Sequence, residues 1–183
     1  REFATWAKAQ PKFFMGTFGA GTPGHFGAYM FGDTAGVSVE PVHYKSTGDA
    51  VGGLLGGDIP AMFATVALAA PNVKAGKMRA LAVSSDSRAP ALPEVPTLRE
   101  QGFGSLEFSA WFGIVAPAKT PDEILKRLNT EVVKAVSGAE ARSKLQEMGF
   151  KVTGSSRAEF ATIIRDDTAR WGKAVAATGF KAD

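Results

Sequence analysis

A glycine-rich turn holds the residues whose types and spacing are best suited to chemistry in this chain. The turn reads Gly19-Ala20-Gly21-Thr22-Pro23-Gly24 and follows an apolar run over residues 12–18. Glycines let backbone N–H groups approach a ligand closely, and the first turn of a helix leaves its N–H groups without internal partners. Thr22 is placed to cap a helix in which Pro23 takes the first position, where no N–H is needed. The pattern predicts a strand, an anion-binding turn and a helix.

The same turn also fits the G-x-G-x-x-G pattern of dinucleotide-binding domains. That use requires an acidic residue roughly 20 positions further on, at the end of the second strand, to bind the ribose hydroxyls. The chain has Tyr44-Lys45-Ser46 there, whereas Glu40 comes too early and Asp49 too late. Lys45 could instead meet a ribose phosphate, so a dinucleotide-binding oxidoreductase domain stays open as the alternative function.

The remaining reactive side chains give no pattern typical of an enzyme. Two histidines, His25 and His43, are too few for a metal centre or a catalytic triad, and neither G-x-S-x-G nor H-E-x-x-H occurs. We interpret His43 as a structural or surface residue of a strand. His25, in the first turn of the predicted helix, suits either packing or ligand contact. We therefore expect no catalytic residue, no metal and no organic cofactor.

Composition narrows the class of protein further. The 183 residues carry a net charge of +3, and the basic residues are interspersed with acids, which argues against nucleic-acid binding. The chain has no cysteine, which excludes disulfides and thiolate chemistry and suits an oxidising compartment such as the bacterial periplasm. No window of 18 apolar residues predicts a membrane span. The first residues read as a helix already under way, so we expect a piece cut from a longer protein.

Strand and helix signals alternate along the first part of the chain. Strands are predicted over 12–18, 39–44, 59–65 and 78–85, with helices over 23–36, 49–55 and 66–77. Such alternation is typical of parallel βαβ units with helices on both faces, an α/β fold. Prolines then predict an irregular stretch over 90–96, and a β-rich run follows over 106–115.

The last part of the chain reads as helical. Helices are predicted over 120–136, 139–148 and 157–177. Two of them begin with the spacing of a capping box, Thr120 with Glu123 and Ser156 with Glu159.

Segments along the whole chain, taken in order, resemble the periplasmic solute-binding receptors of tripartite tricarboxylate transporters, the Bug family. The matching segments are residues 19–25, Val42-His43-Tyr44-Lys45, 54–58, 74–83, 90–97, 111–118, Thr120-Pro121 and Leu128-Asn129. The resemblance implies a periplasmic protein whose two α/β lobes close on a small organic carboxylate. It also implies that the ligand is delivered to the membrane permease subunits of a transporter and that nothing is catalysed.

The resemblance further implies a domain organisation in which the first lobe is missing from this chain. Residues 1–11 would be a helix continuing from that lobe, and residues 12–111 would form the second lobe, with a mainly parallel sheet flanked by helices. Residues 112–183 would hold a hinge strand and C-terminal helices. The cleft face and these helices would then expose apolar surface, so we expect the chain to self-associate. A regulatory or sensory domain on the same fold is a third interpretation.

Eight ligand contacts carry over from the family, and His25 is added from its place in the first helical turn. The family grips its ligand with this glycine turn, with the loop after the second strand and with a residue after the next strand. The resulting candidate positions are Thr17, Gly19, Ala20, Gly21, Thr22, His25, Lys45, Ser46 and Thr65. Many family members have an acidic or small polar residue near the position of Thr65. Because no carboxylate stands there to pair with an amine, we expect a plain mono- or dicarboxylate ligand.

Overall fold

The computed structural model describes residues 1–181 and begins with alternating helices and strands. In order these are α1 (Glu2–Lys8), β1 (Phe13–Thr17), α2 (Pro23–Ala35), β2 (Val39–His43), α3 (Thr47–Gly56), β3 (Ala61–Met62) and α4 (Val66–Lys74). The three strands form one parallel sheet in the order β2-β1-β3. This confirms the predicted α/β class, in which helices flank a parallel sheet.

The register of the sheet brings the ends of its strands together. Along β1 and β2, Phe13 lies opposite Val39 and Thr17 lies opposite His43. Strand β3 is short and pairs only with the later half of β1, where Met15 faces Ala61. Because the strands are parallel, the loops that follow them all leave the sheet at its carboxyl edge.

The core lies around the central strand β1. Phe13 and Met15 are buried, and they pack in one cluster with Phe31 of α2 and with Leu106. A strand with neighbours on both sides and helices above it is expected to be apolar nearly throughout, as β1 is. The apolar run that predicted a strand is therefore the centre of the fold.

The helices of the last third of the chain are α5 (Asp122–Ser137), α6 (Ala139–Glu147) and α7 (Arg157–Thr178). The predicted capping box at the start of α7 is confirmed: the Glu159 N–H donates to Ser156 Oγ at 3.3 Å, and the Ser156 N–H donates to Glu159 Oε2 at 2.8 Å. The box predicted at Thr120 is wrong. Helix α5 has Pro121 at its N-cap, without a side-chain bond, and the Thr120 N–H donates to the Pro117 carbonyl instead.

The strand predicted over residues 78–85 is also wrong. Only Val83 forms a bridge, parallel to Thr97. The Val83 N–H donates to the Pro96 carbonyl at 2.9 Å, and the Leu98 N–H donates to the Val83 carbonyl at 2.8 Å. The segment facing it is interrupted by prolines, which have no N–H to continue a ladder, so the pairing ends after one bridge.

Of two further β predictions, one is wrong and the other is too long. The run over 106–115 contains no strand within the described residues; a single 3-10 turn, Gly104–Leu106, precedes it. Phe112, Ile114 and Val115 are 82%, 72% and 77% exposed, so this apolar run lacks the neighbouring strand that its composition anticipates. The strand predicted over 59–65 is reduced to β3, because it pairs with only part of β1.

The chain divides into two compact units. One comprises Arg1–Ser109 with the described residues from Lys173 onward, and the other is Ala110–Gly172, so the second break falls inside α7. In the first unit, the Tyr29 hydroxyl of α2 donates to the Ala177 carbonyl at 3.0 Å. The domain limits at residues 11 and 111 remain predictions.

Within the second unit, Trp111 Nε1 donates to Asp167 Oδ2 at 2.6 Å. Its ring also lies edge-on to Phe160, with 5.1 Å between the ring centroids. These two contacts attach the segment after the 3-10 turn to helix α7. No helix within residues 1–181 combines the length and the apolar character that crossing a membrane requires.

Two helical glycines give a matched test of this packing. A β-carbon on Gly32 in α2 would lie 2.7 Å from the Val37 carbonyl oxygen, whereas one on Gly52 in α3 would meet nothing within 4 Å. Alanine is favoured over glycine inside a helix by about 0.5–1 kcal/mol. We expect Gly52→Ala to raise the free energy of unfolding by about that amount. We expect Gly32→Ala to lower it by about 1–3 kcal/mol through overpacking.

Urea unfolding followed by circular dichroism measures both values. If Gly32→Ala were as stabilising as Gly52→Ala, the close approach of α2 to the start of β2 would be contradicted.

Candidate functional site

The glycine turn and the start of α2 have the predicted form. Gly19 and Gly21 have φ values of 121° and 76°, in the region that favours glycine. Thr22 is the N-cap of α2, and Pro23 occupies the first turn. Thr22 Oγ1 accepts from the His25 N–H at 3.4 Å and donates to the Gly19 carbonyl at 2.8 Å. The Thr22 hydroxyl therefore fixes both the helix start and the path of the turn that leads into it.

Thr17 lies beneath this turn. It is 0% exposed, and its Oγ1 is 2.6 Å from Nδ1 of His43. The same oxygen is 3.3 Å from both the nitrogen and the carbonyl oxygen of Gly19. One buried hydroxyl thus connects the end of β1, the end of β2 and the first residue of the turn.

The chain's two histidines meet at this edge of the sheet. The rings of His25 and His43 are 4.9 Å apart between centroids and nearly perpendicular. His25 Nδ1 accepts a hydrogen bond from the Gly21 N–H at 3.1 Å. Burial lowers the pKa of His25 below its ordinary value, and the neighbouring His43 lowers it further. The sequence alone did not predict this pairing. It follows from the register of β1 and β2, which sets Thr17 opposite His43 and so brings His43 to the edge where the turn begins.

Some of the turn's amides are already bonded within the protein. The Gly19 N–H donates to Thr17 Oγ1, and the Gly21 N–H donates to His25 Nδ1. Within residues 1–181, the amides of Ala20 and Thr22 have no hydrogen-bond acceptor. With the Gly24 amide, which also has no acceptor in the described part of the chain, they are the N–H groups of residues 19–24 that remain without a partner.

Phe180 covers one side of the turn. A β-carbon placed on Gly21 would lie 3.0 Å from Cζ of Phe180, so the ring packs directly against this glycine. The same ring is edge-on to His25 and to Phe26, with 5.7 Å between centroids in each case. Sequence reasoning did not include Phe180, because nothing local in the sequence connects it to the turn.

The other candidate residues follow neighbouring strands. Lys45 and Ser46 are exposed in the loop after β2, where the Asp49 N–H donates to Ser46 Oγ at 3.1 Å and caps α3. Thr65 follows β3 and caps α4 by accepting from the Leu68 N–H at 3.4 Å. Hydrogen bonds join Thr17 to Gly19 and His43, and further bonds join His25 to the turn. Lys45, Ser46 and Thr65 share only the sheet edge with them. The carboxyl edge is where parallel α/β sheets bind ligands.

A family model described as "Tripartite tricarboxylate transporter family receptor" matches residues 1–180. The chain therefore belongs to this family of receptors, which confirms the resemblance seen in the sequence. The dinucleotide-binding alternative has no support in the comparisons.

Curated relatives agree with this assignment. A UPF0065 protein from a tcbD-tcbE intergenic region of Pseudomonas sp. strain P51 is 34% identical over 158 residues, which cover 86% of this chain and 47% of that protein. Protein BugT of Bordetella pertussis is 29% identical over 161 residues, covering 88% of this chain and 49% of that protein. The chain spans about half the length of these relatives.

Solved structures share the fold. R. palustris Rpa4515 with adipate superposes with a TM-score of 0.84 at 29% identity, over 97% of this chain and 60% of that one. MatC from Rhodopseudomonas palustris with bound malate gives 0.81 at 26% identity, over 95% of this chain and 60% of that one. The structural neighbours are periplasmic binding proteins, as the sequence predicted for the fold.

The double role of Thr22 can be tested against a simpler cap. Thr65 caps α4 with a bond of the same length, 3.4 Å, but Thr22 also donates to the Gly19 carbonyl. Losing a threonine cap costs about 1 kcal/mol. We expect Thr65→Ala to lower the free energy of unfolding by about that amount and Thr22→Ala to lower it by about 1 kcal/mol more. Thr22→Ser, which keeps the hydroxyl, should recover most of the loss. Equal losses for the two alanine variants, measured by urea unfolding, would contradict the second role.

Proposed function

We propose that this chain supplies a ligand-binding lobe of an extracytoplasmic receptor that captures a small organic carboxylate for a tripartite tricarboxylate-type transporter. The observation that carries the proposal is the glycine turn at the carboxyl edge of the sheet, with the amides of Ala20 and Thr22 left to bind an anion. Membership of the receptor family supports it, as do neighbours solved with adipate and with malate.

The turn, the helix and nearby side chains would each contribute part of the binding energy. A helix N-terminus favours an anion by about 0.3–1 kcal/mol, and by up to about 2 when partly buried. A hydrogen bond to a charged group adds about 1.5–3 kcal/mol. These contributions total about 4–5 kcal/mol, which corresponds to millimolar affinity, whereas micromolar binding needs about 8 kcal/mol. We propose that closure of another lobe over the ligand supplies the difference.

In this proposal the nine candidate residues have two kinds of role. Ala20 and Thr22 present amides to a carboxylate, and Lys45 supplies a positive charge. Thr65 adds a hydroxyl, and Ser46 adds another if it exchanges its present bond to Asp49 Oδ2 for the ligand. Thr17, Gly19 and Gly21 set the conformation of the turn beneath the ligand, and His25 borders it. The ligand is captured and released without any covalent change, so the protein acts as a receptor and not as an enzyme.

The geometry at the end of β2 favours a carboxylate over a dinucleotide. A dinucleotide site needs an acidic residue there to bind the ribose. The strand ends instead at His43, whose Nδ1 is engaged with the Thr17 hydroxyl. A ribose at this position would find an imidazole in place of a carboxylate acceptor.

The wider proposal concerns domains, place and partners. Residues 12–111 form the lobe that carries the turn, and residues 112–183 form a hinge segment and helices that contact a second lobe. The receptor works in the periplasm and passes its ligand to membrane permease subunits. A regulatory role for the same lobe would require a signalling partner in place of the permease.

The function is tested by thermal unfolding of the full-length protein with malate, adipate, acetate and NAD. A ligand at 100 times its dissociation constant stabilises the folded state by about 2.7 kcal/mol, which shifts the midpoint by several degrees. We expect a shift with a carboxylate and none with NAD. A shift with NAD alone would overturn the proposal.

Two lysines at opposite ends of the sheet test the placement of the ligand. Lys45 follows the carboxyl end of β2, whereas Lys12 precedes β1 and pairs with Glu40 at 3.8 Å on the surface. We expect Lys45→Gln to weaken carboxylate binding about tenfold, an effect that shrinks as salt screens the charge. Lys12→Gln should leave affinity unchanged. Calorimetric titration measures both, and equal effects would place the ligand elsewhere.

Self-association tests the proposal that the segment after residue 109 contacts a second lobe through apolar residues. Phe112, Ile114 and Val115 are among the most exposed apolar residues of the chain. We expect residues 1–183 alone to associate at high concentration, because contiguous apolar patches drive association. Phe112→Ser should reduce the apparent mass in light scattering, whereas a monodisperse monomer for the unchanged chain would contradict this expectation.

A further inference from the structure

The partner of the Gly21 amide and the charge of His25 both depend on whether Nδ1 of His25 carries a proton. The Gly21 amide, which lies in sequence between the Ala20 and Thr22 amides proposed to hold the anion, donates to Nδ1 of His25 at 3.1 Å. We infer that protonation of His25 is linked to ligand binding. A carboxylate bound at the turn and a proton on Nδ1 of His25 stabilise each other. This inference rests on the proposed function, because it assigns a coupling to that same site.

The hydrogen bond fixes the state of the imidazole in the unliganded protein. An N–H can donate only to an unprotonated ring nitrogen, so His25 is neutral here, with its proton on Nε2. If Nδ1 gains a proton, it becomes a donor and can no longer accept from Gly21. Protonation therefore releases the Gly21 amide and adds a second N–H and a positive charge beside it.

An anion at the turn would act on the same bond from the other side. The Ala20 and Thr22 amides flank Gly21, so a carboxylate held by them competes with Nδ1 for the Gly21 N–H. Once the carboxylate takes that amide, Nδ1 is left without its donor and next to a negative charge. Both changes favour its protonation, because an opposite charge stabilises the charged form of an imidazole.

The surroundings of His25 keep it neutral until a ligand arrives. Strand β1 faces the pair with the uncharged hydroxyl of Thr17, and β2 presents His43, the charged or titratable group whose field acts on His25. The C-terminal segment contributes the ring of Phe180, which Lys181 follows in the chain, and Lys45 lies two residues beyond His43 in the loop after β2. Burial and His43 both lower the pKa of His25, which favours the neutral imidazole in the unliganded site.

Through His25, the affinity for a carboxylate should depend on pH. The pKa of His25 is lowered in the free protein and is higher with a carboxylate bound, so binding takes up a proton between the two values. Affinity should rise as the pH falls from the higher value to the lower one and then level off. Each unit of difference between the two pKa values corresponds to a tenfold change in affinity. For a difference of one unit, we expect binding to be several-fold tighter at pH 6 than at pH 8, and the full tenfold is reached only well below the pKa of the free protein.

The free protein gives the first test. In nitrogen-15 NMR of the full-length protein, Nδ1 of His25 should have the shift of an unprotonated nitrogen at pH 8. The Gly21 amide should titrate with the same midpoint as the His25 ring. His25→Asn keeps an acceptor near the position of Nδ1 but cannot be protonated, so the Gly21 amide should lose this titration. A Gly21 amide that does not follow His25 would overturn the inference whether or not any acid binds.

Calorimetry with malate and adipate gives the second test. Titration at pH 6.5 in buffers of different ionisation enthalpy measures proton uptake on binding. We expect the wild type to take up a fraction of a proton and His25→Asn to take up almost none. The free acid ionises identically in both experiments, so the difference in proton uptake between the two proteins is due to His25.

His43→Asn is the matched control, since it alters the other ring of the pair. It should retain proton uptake, because Gly21 still donates to His25. Loss of uptake in His43→Asn but not in His25→Asn would assign the proton to His43 and overturn the inference. If no acid binds at all, the proposed function fails, while the coupling of Gly21 to His25 is still decided by the titration of the free protein.

Discussion

The buried hydroxyl of Thr17 is the contact on which the candidate site depends. It lies where β1 ends, 2.6 Å from the imidazole that ends β2 and within hydrogen-bonding distance of Gly19. Parallel strands place their carboxyl ends together, but they do not determine how the loops beyond them leave the sheet. A small polar side chain that is entirely enclosed does so here, because its bonds would be costly to leave unmade. The first residue of the turn and the imidazole of His43 both meet at this hydroxyl.

The glycine turn already uses part of its hydrogen-bonding capacity within the protein. Its Ala20 and Thr22 amides have no acceptor within residues 1–181, while those of Gly19 and Gly21 bond to side chains of the protein itself. Phe180 packs against Gly21 from the far end of the chain. Under the proposed function, a ligand at this turn would exchange internal contacts for contacts with itself.

The sequence was most informative where structure is local. The glycine turn, the caps at Thr22 and Ser156 and the alternation of strands with helices depend on residues a few positions apart, and all were predictable. The strand expected over 78–85 was not, because strand formation depends on a partner, and the segment facing Val83 contains Pro93 and Pro96. The contacts of His43 with His25, and of Phe180 with Gly21, join distant parts of the chain. They follow from the register of the sheet and the course of α7, which no local pattern encodes.

The division of the chain inside α7 has a consequence for how its parts stay together. Residues 110–172 interrupt the first unit in sequence, and the later residues return to α2 through Tyr29 and to the turn through Phe180. A single cut by a protease within the inserted stretch would therefore leave two fragments that each hold part of the first unit. The contacts of Tyr29 and Phe180 hold those parts together independently of the severed peptide bond. The two fragments could therefore stay associated after the cut.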